Sequence, residues 1–111
     1  MATTMKPPVQ GGQPYTVRFA NDIGGTGVAI VVVAWVPNHG ADVPAPRQMS
    51  IARGGAAELS DLIPASALAR RMTIVVELDA GETGQIEVLQ GTQSVFSEAV
   101  TQPMTYGMVV L

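Results

Sequence analysis

Residues 15–20, YTVRFA, alternate apolar and polar side chains, with Tyr15, Val17 and Phe19 on one side and Thr16, Arg18 and Ala20 on the other. A period of two is the mark of a strand with one face in a core. Residues 72–78 repeat the pattern, with Met72, Ile74, Val76 and Leu78 set against Thr73, Val75 and Glu77. Residues 28–36, VAIVVVAWV, break it. Their β-branched content, and the Pro-Asn-His-Gly that follows Val36, predict a strand, but one that wants cover on both faces. Val28, Ile30, Val32, Ala34 and Val36 line one side, and Ala29, Val31, Val33 and Trp35 the other. A two-layer sandwich covers only one of them. The second cover is expected from the segment 56–70, the proline-rich 40–46, the N-terminal arm, or another copy of the chain.

The remaining pattern completes an all-β reading. Pro44 and Pro46 forbid a central strand before a short one over residues 47–52. Residues 56–71 predict a strand end, a turn and at most two helical turns, which Pro64 would keep short. Residues 84–91 and 92–100 form a hairpin around Gln90-Gly91-Thr92. Residues 104–111 again lack alternation, with Met104, Tyr106, Met108 and Val110 against Thr105, Gly107, Val109 and Leu111. Six to eight short strands separated by Gly/Pro turns predict an antiparallel, immunoglobulin-like β-sandwich over residues 15–111. Pro7, Pro8, Gly11, Gly12 and Pro14 predict a flexible leader over residues 1–14.

Composition narrows the chemistry. The 111 residues fit one domain, and the absence of cysteine excludes disulfides, thiolate metal sites and cysteine nucleophiles. Only 14% of residues are charged, and the net charge of -3 with scattered bases argues against nucleic acid as a partner. Residues 28–36 are too short for a membrane-spanning helix. The first residues hold no apolar stretch of signal-peptide length, which makes the cytoplasm the default expectation.

Two stretches are similar to the fibronectin type III family. Val31-Val32-Val33-Ala34-Trp35-Val36-Pro37 resembles its second strand, in which aliphatics lead to a core tryptophan and a proline. Leu59-Ser60-Asp61-Leu62-Ile63-Pro64-Ala65-Ser66-Ala67-Leu68 resembles the corner before its sixth strand, with Leu68 where that family carries a tyrosine. The resemblance implies an immunoglobulin-like sandwich and a binding or spacer role.

Candidate chemistry is sparse. His39 is the only histidine, so a hydrolase of the Ser-His-Asp kind would depend on it, with Asp42 nearby; no G-x-S-x-G elbow occurs, and Pro-Asn-His-Gly reads as an exposed turn. Asp79 and Glu82, with Asp22, could offer oxygens to calcium, but the EF-hand spacing is missing and no metal or cofactor is expected. Gly24-Gly25-Thr26-Gly27 lacks the lysine of a phosphate loop, and Arg53-Gly54-Gly55 is a single RGG. The two strands without alternation instead predict an apolar contact surface carrying Val31, Val33, Trp35, Met104, Tyr106 and Met108. The expected function is a non-catalytic assembly module, self-associating or docking on a protein partner through a sheet face. The alternative is a glycan- or ligand-binding module using Trp35, His39 and Tyr106.

Overall fold

The computed structural model describes residues 2–22, 28–52 and 54–111. Nine strands and no helix occur among them: β1 (Thr4–Met5), β2 (Pro14–Asn21), β3 (Ala29–Pro37), β4 (Arg47–Ile51), β5 (Ala56–Leu62), β6 (Ala69–Leu78), β7 (Gly84–Gln90), β8 (Gln93–Val100) and β9 (Met104–Val109). They form a five-stranded sheet in the order β1-β9-β6-β3-β4 and a four-stranded sheet in the order β5-β2-β7-β8. The two sheets pack face to face as a β-sandwich. No helix among the described residues is long and apolar enough to cross a membrane.

The β3–β6 pair is the spine of the first sheet, running antiparallel from Ala29↔Leu78 to Val36↔Arg71, with a bulge before Pro37↔Ala69. This register places Val31 beside Val76, Val33 beside Ile74 and Trp35 beside Met72. On the far side of β6, Tyr106 of β9 pairs with Ile74 and Met108 with Met72. These rows meet Tyr15, Val17, Phe19, Leu59, Ile86 and Val88 of the second sheet in one continuous core. The alternation of β2 and β6 thus does what their sequences predict, with one face buried and the other turned outward.

Both open sides of the sandwich are bridged by charged side chains, one from edge strand β4 and one from the arm beside β1, a common protection for such edges. On one side Arg47 of β4 reaches across to β5, donating to the Ser60 carbonyl at 3.1 Å and to Asp61 Oδ2 at 3.0 Å. On the other, Lys6 beside β1 is ion-paired with Glu98 of β8. The Lys6 ammonium also stands over the rings of Phe96 and Tyr106, at 5.1 and 5.6 Å from their centroids.

Three expectations change. The arm before Pro14 is laid along β9 instead of standing free: Thr4 and Met5 pair in parallel with Tyr106 and Gly107, and Val9 bridges Val110. Backbone bonds from Lys6 to Gly107, from Val9 to Val109 and from Gly11 to Leu111 fix it, at 2.9, 2.9 and 2.8 Å. This parallel edge supplies the ninth strand and departs from a purely antiparallel plan. Residues 56–62 are not a lid over β3; they pair with β2 from Pro14↔Leu62 to Ala20↔Ala56 and form an edge of the opposite sheet. The strand end and turn expected over residues 56–71 are present: Leu68 and Ala69 both donate to the Ala65 carbonyl, at 2.8 and 3.1 Å, in a single turn that goes no further as a helix. The loop readings at Gly24-Gly25-Thr26-Gly27 and at Arg53 fall on residues outside the described set.

Candidate functional site

The register of β3 decides which side of it is available. Val31, Val33, Trp35, Tyr106 and Met108 are buried between the sheets, and Met104 is half-buried against the same core. The expectation that these six form an outward contact surface is therefore corrected. They share the face on which β6 carries Met72, Ile74 and Val76, and that face meets the second sheet. The outward side of β3 is the other one, carrying Ile30, Val32, Ala34 and Val36, each half-buried by its neighbours in the sheet.

Cross-strand rows continue this outward surface. Ser50, Ile30 and Glu77 form one row, and Gln48, Val32, Val75 and Thr105 the next. Ala34, Thr73, Gly107 and Met5 follow, then Val36, Arg71 and Val109. Most of its central positions are apolar or small, and the charges Glu77 and Arg71 sit at its two ends. Gly107 is itself buried on this side, beneath neighbouring side chains: a Cβ there would come within 2.9 Å of Met5 Sδ, 3.0 Å of Thr3 Cγ2 and 3.2 Å of Arg71 Cδ.

The outer face of the four-stranded sheet is of opposite character. Arg18 pairs with Glu58 at 2.9 Å and with Glu87 at 3.7 Å. Thr16 and Ser60 share a bond of 2.9 Å, and Gln85 donates to Ser97 at 3.0 Å. A hollow of about 500 Å³ lies there over Ala20 and Ala56, walled by Arg18, Glu58, Gln85, Glu87 and Ser97. Its polar side chains already satisfy one another, as a solvated face requires.

The aromatic residues assigned to a ligand platform are not brought together. Trp35 packs edge-on against Tyr15, with ring centroids 5.7 Å apart and planes at 75°. Tyr106 packs against Phe96 at 5.2 Å near the opposite edge of the sandwich. Met72 of β6 separates Trp35 from β9. His39 is exposed in a turn closed by Ala41 donating to the Asn38 carbonyl at 2.9 Å.

Trp35 does reach one hollow. A cavity of about 300 Å³ at the β4–β5 edge is lined by Trp35, Pro44, Arg47, Asp61, Leu62 and Leu68, among others. Trp35 is 9% exposed, while Leu62 and Leu68 are 60% and 44% exposed. Asp61 accepts from the Leu62 amide at 2.8 Å, and this bond and the Arg47 guanidinium hold its carboxyl below the usual range. Burial pushes the Tyr15 phenol up to about 12, reinforced by the charge of Asp61 and opposed by that of Arg47. The hollow offers an apolar floor and one charged pair at its rim.

Two of the carboxylates considered for calcium, Asp79 and Asp22, serve the turns. Asp79 accepts from the Val28 amide at 2.9 Å, and Asp22 accepts from the Thr83 hydroxyl. Among the described residues, no three His, Asp or Glu side chains gather where they could hold a metal ion. Nothing in the sequence alone separated the outward face of β3 from the inward one, since both are aliphatic. Compared with family models, curated proteins and solved structures, this chain finds no match.

Proposed function

We propose that the protein is a non-catalytic assembly module that works through the outward face of its five-stranded sheet, by self-association or by docking on a protein partner. The observation that carries this reading is the contrast between the two outer faces. Ile30, Val32, Ala34 and Val36 present four uncharged aliphatic side chains in succession, whereas Arg18, Glu58 and Glu87 hold a satisfied ionic network on the other sheet. A contiguous apolar face left partly open to solvent supports association. The immunoglobulin-like relation belongs to the same proposal, supported by the two packed sheets and a core tryptophan on β3. Sedimentation over a wide concentration range tests the reading. Association that Val32→Asp removes without unfolding the domain supports it, and self-association or partner binding that survives Val32→Asp unchanged overturns it.

A second reading rests on the hollow beside Trp35, where Leu62 and Leu68 stay exposed next to a tryptophan edge. It would take a small, largely apolar ligand with one polar group for the Arg47–Asp61 rim, or the apolar face of a sugar ring. Titration followed by Trp35 fluorescence tests it: saturable quenching lost in Leu68→Ala supports it, and a flat titration removes it.

A further inference from the structure

We propose that the partner of the outward face is a second copy of the chain, stacked so that a two-fold axis runs across the strands at the level of Val33, Ile74 and Tyr106. This inference rests on the reading above and gives it a geometry. Those three residues form one cross-strand row. Arg71 and Glu77 lie on the outward side of β6, three residues to either side of Ile74 and about 20 Å apart along the strand. Rotation about the axis lays β6 antiparallel on the β6 of the other copy. Arg71 of each copy then faces Glu77 of the other, twice over.

The same operation matches the rest of the surface. Val32 falls over Ala34, Ile30 over Val36 and Val75 over Thr73, because each of these pairs is disposed evenly about the row, and Thr105 falls where Thr3 and Met5 cover Gly107. Val32 thus meets the smaller Ala34, and the other pairs set side chains of similar size together, compatible with sheet faces packed about 10 Å apart. Among the described residues, neither Arg71 nor Glu77 takes part in an ion pair within the protomer, in contrast to Arg18 and Arg47. An axis along β6 would instead set Arg71 over Arg71 and Glu77 over Glu77, a repulsive arrangement. A closed isologous pair of this kind leaves no further copy of the face to propagate on.

The size of the face sets the expected strength. Seven residues each of β3 and β6, six of β9, five of β4 and two of β1, in strands about 4.8 Å apart, bury about 900 Å² in total when two copies stack. That is the low end for specific interfaces, so the pair forms reversibly and dilution separates it.

Charge reversal tests the geometry. Sedimentation equilibrium of the intact chain should show a reversible dimer whose dissociation constant rises at least tenfold in Arg71→Glu and in Glu77→Arg. The doubly substituted chain, R71E/E77R, should return to within about threefold of the parent. Circular dichroism of each variant checks that the sandwich remains folded, and Thr73→Lys serves beside Val32→Asp as a face variant on a second strand. If Val32→Asp and Thr73→Lys abolish the dimer but R71E/E77R stays as weak as the single variants, the stacking geometry is overturned and the outward-face reading stands. If the parent is monomeric at every concentration, the second copy is overturned as the partner. A dimer that both face variants leave intact overturns the face reading and this inference together.

Discussion

The phenol of Tyr106 donates to Glu98 Oε2 at 3.1 Å, joining the inner side of β9 to the edge strand of the opposite sheet. Lys6 is ion-paired with the same carboxylate, so three groups from β8, β9 and the arm meet at one edge. Tyr106→Phe keeps the ring and removes the bond, and should lower the unfolding free energy by about 1–2 kcal/mol. Urea denaturation measures it. A loss below about 0.3 kcal/mol would show that Lys6 alone holds Glu98 in place.

Alkaline pH should loosen the fold through two phenols. Burial raises both Tyr15 and Tyr106, and the carboxylate of Glu98 raises Tyr106 further. In the unfolded chain each phenol ionises near 10, so above that pH the unfolded state holds fewer protons than the folded one. The contribution of Tyr15 is complete below about pH 10 and falls as pH rises toward its folded value of about 12. Urea midpoints at pH 8, 9 and 11.5 should be level for the first two and lower for the third. Tyr15→Phe should flatten part of that decline, and an unchanged decline would place the alkaline sensitivity elsewhere.

Gly84 tolerates no side chain. A Cβ there would lie 2.6 Å from the Ala20 carbonyl oxygen and 2.6 Å from Phe19 Cε1. The residue opens β7, held between Asn21 at the end of β2 and Val100 at the end of β8, so its backbone has little room to retreat. Gly84→Ala should cost about 1–3 kcal/mol by overpacking, and more if β7 cannot shift. A melting temperature equal to that of the parent would contradict the close approach.

The arm is expected to stabilise the sandwich. Val9 is fully buried against the core and bridges Val110. Val9→Ala should destabilise the domain by about 1–3 kcal/mol, comparable to losing most of one buried aliphatic side chain. Amide exchange of Lys6, Val9 and Gly11, whose N–H groups bond to the carbonyls of Gly107, Val109 and Leu111, should accelerate in the same variant. Exchange as fast in the parent as in a short peptide would mean the arm is not docked.

How far the sequence was legible depends on where each strand gets its phase. In β2 and β6 the polar residues Thr16, Arg18, Thr73 and Glu77 mark the outward side by themselves. In β3 no polar residue does so, and the choice between Val31 and Val32 as core is made by pairing with β6, at Val33↔Ile74, some forty residues away. Local pattern carries no such information. The outward face was therefore read with its two sides exchanged, although the need for a second cover was visible. Ser60 and Asp61 look like a helix cap, yet in the fold Ser60 meets Thr16 and Asp61 meets Arg47 across strand edges. Thr4 and Met5 carry no periodicity at all; they form a strand because β9 offers them an edge.

That parallel pairing has a kinetic side. Thr4↔Tyr106 joins positions separated by almost the whole sequence, so its loop-closure entropy is met only after β3, β6 and β9 have already assembled. The β1–β9 ladder should be the last part of the sheet to form and the first to open. Until it forms, the outer edge of β9 is an open template for a strand from another molecule, and refolding at high concentration should compete there with tangled by-products that dilute refolding avoids.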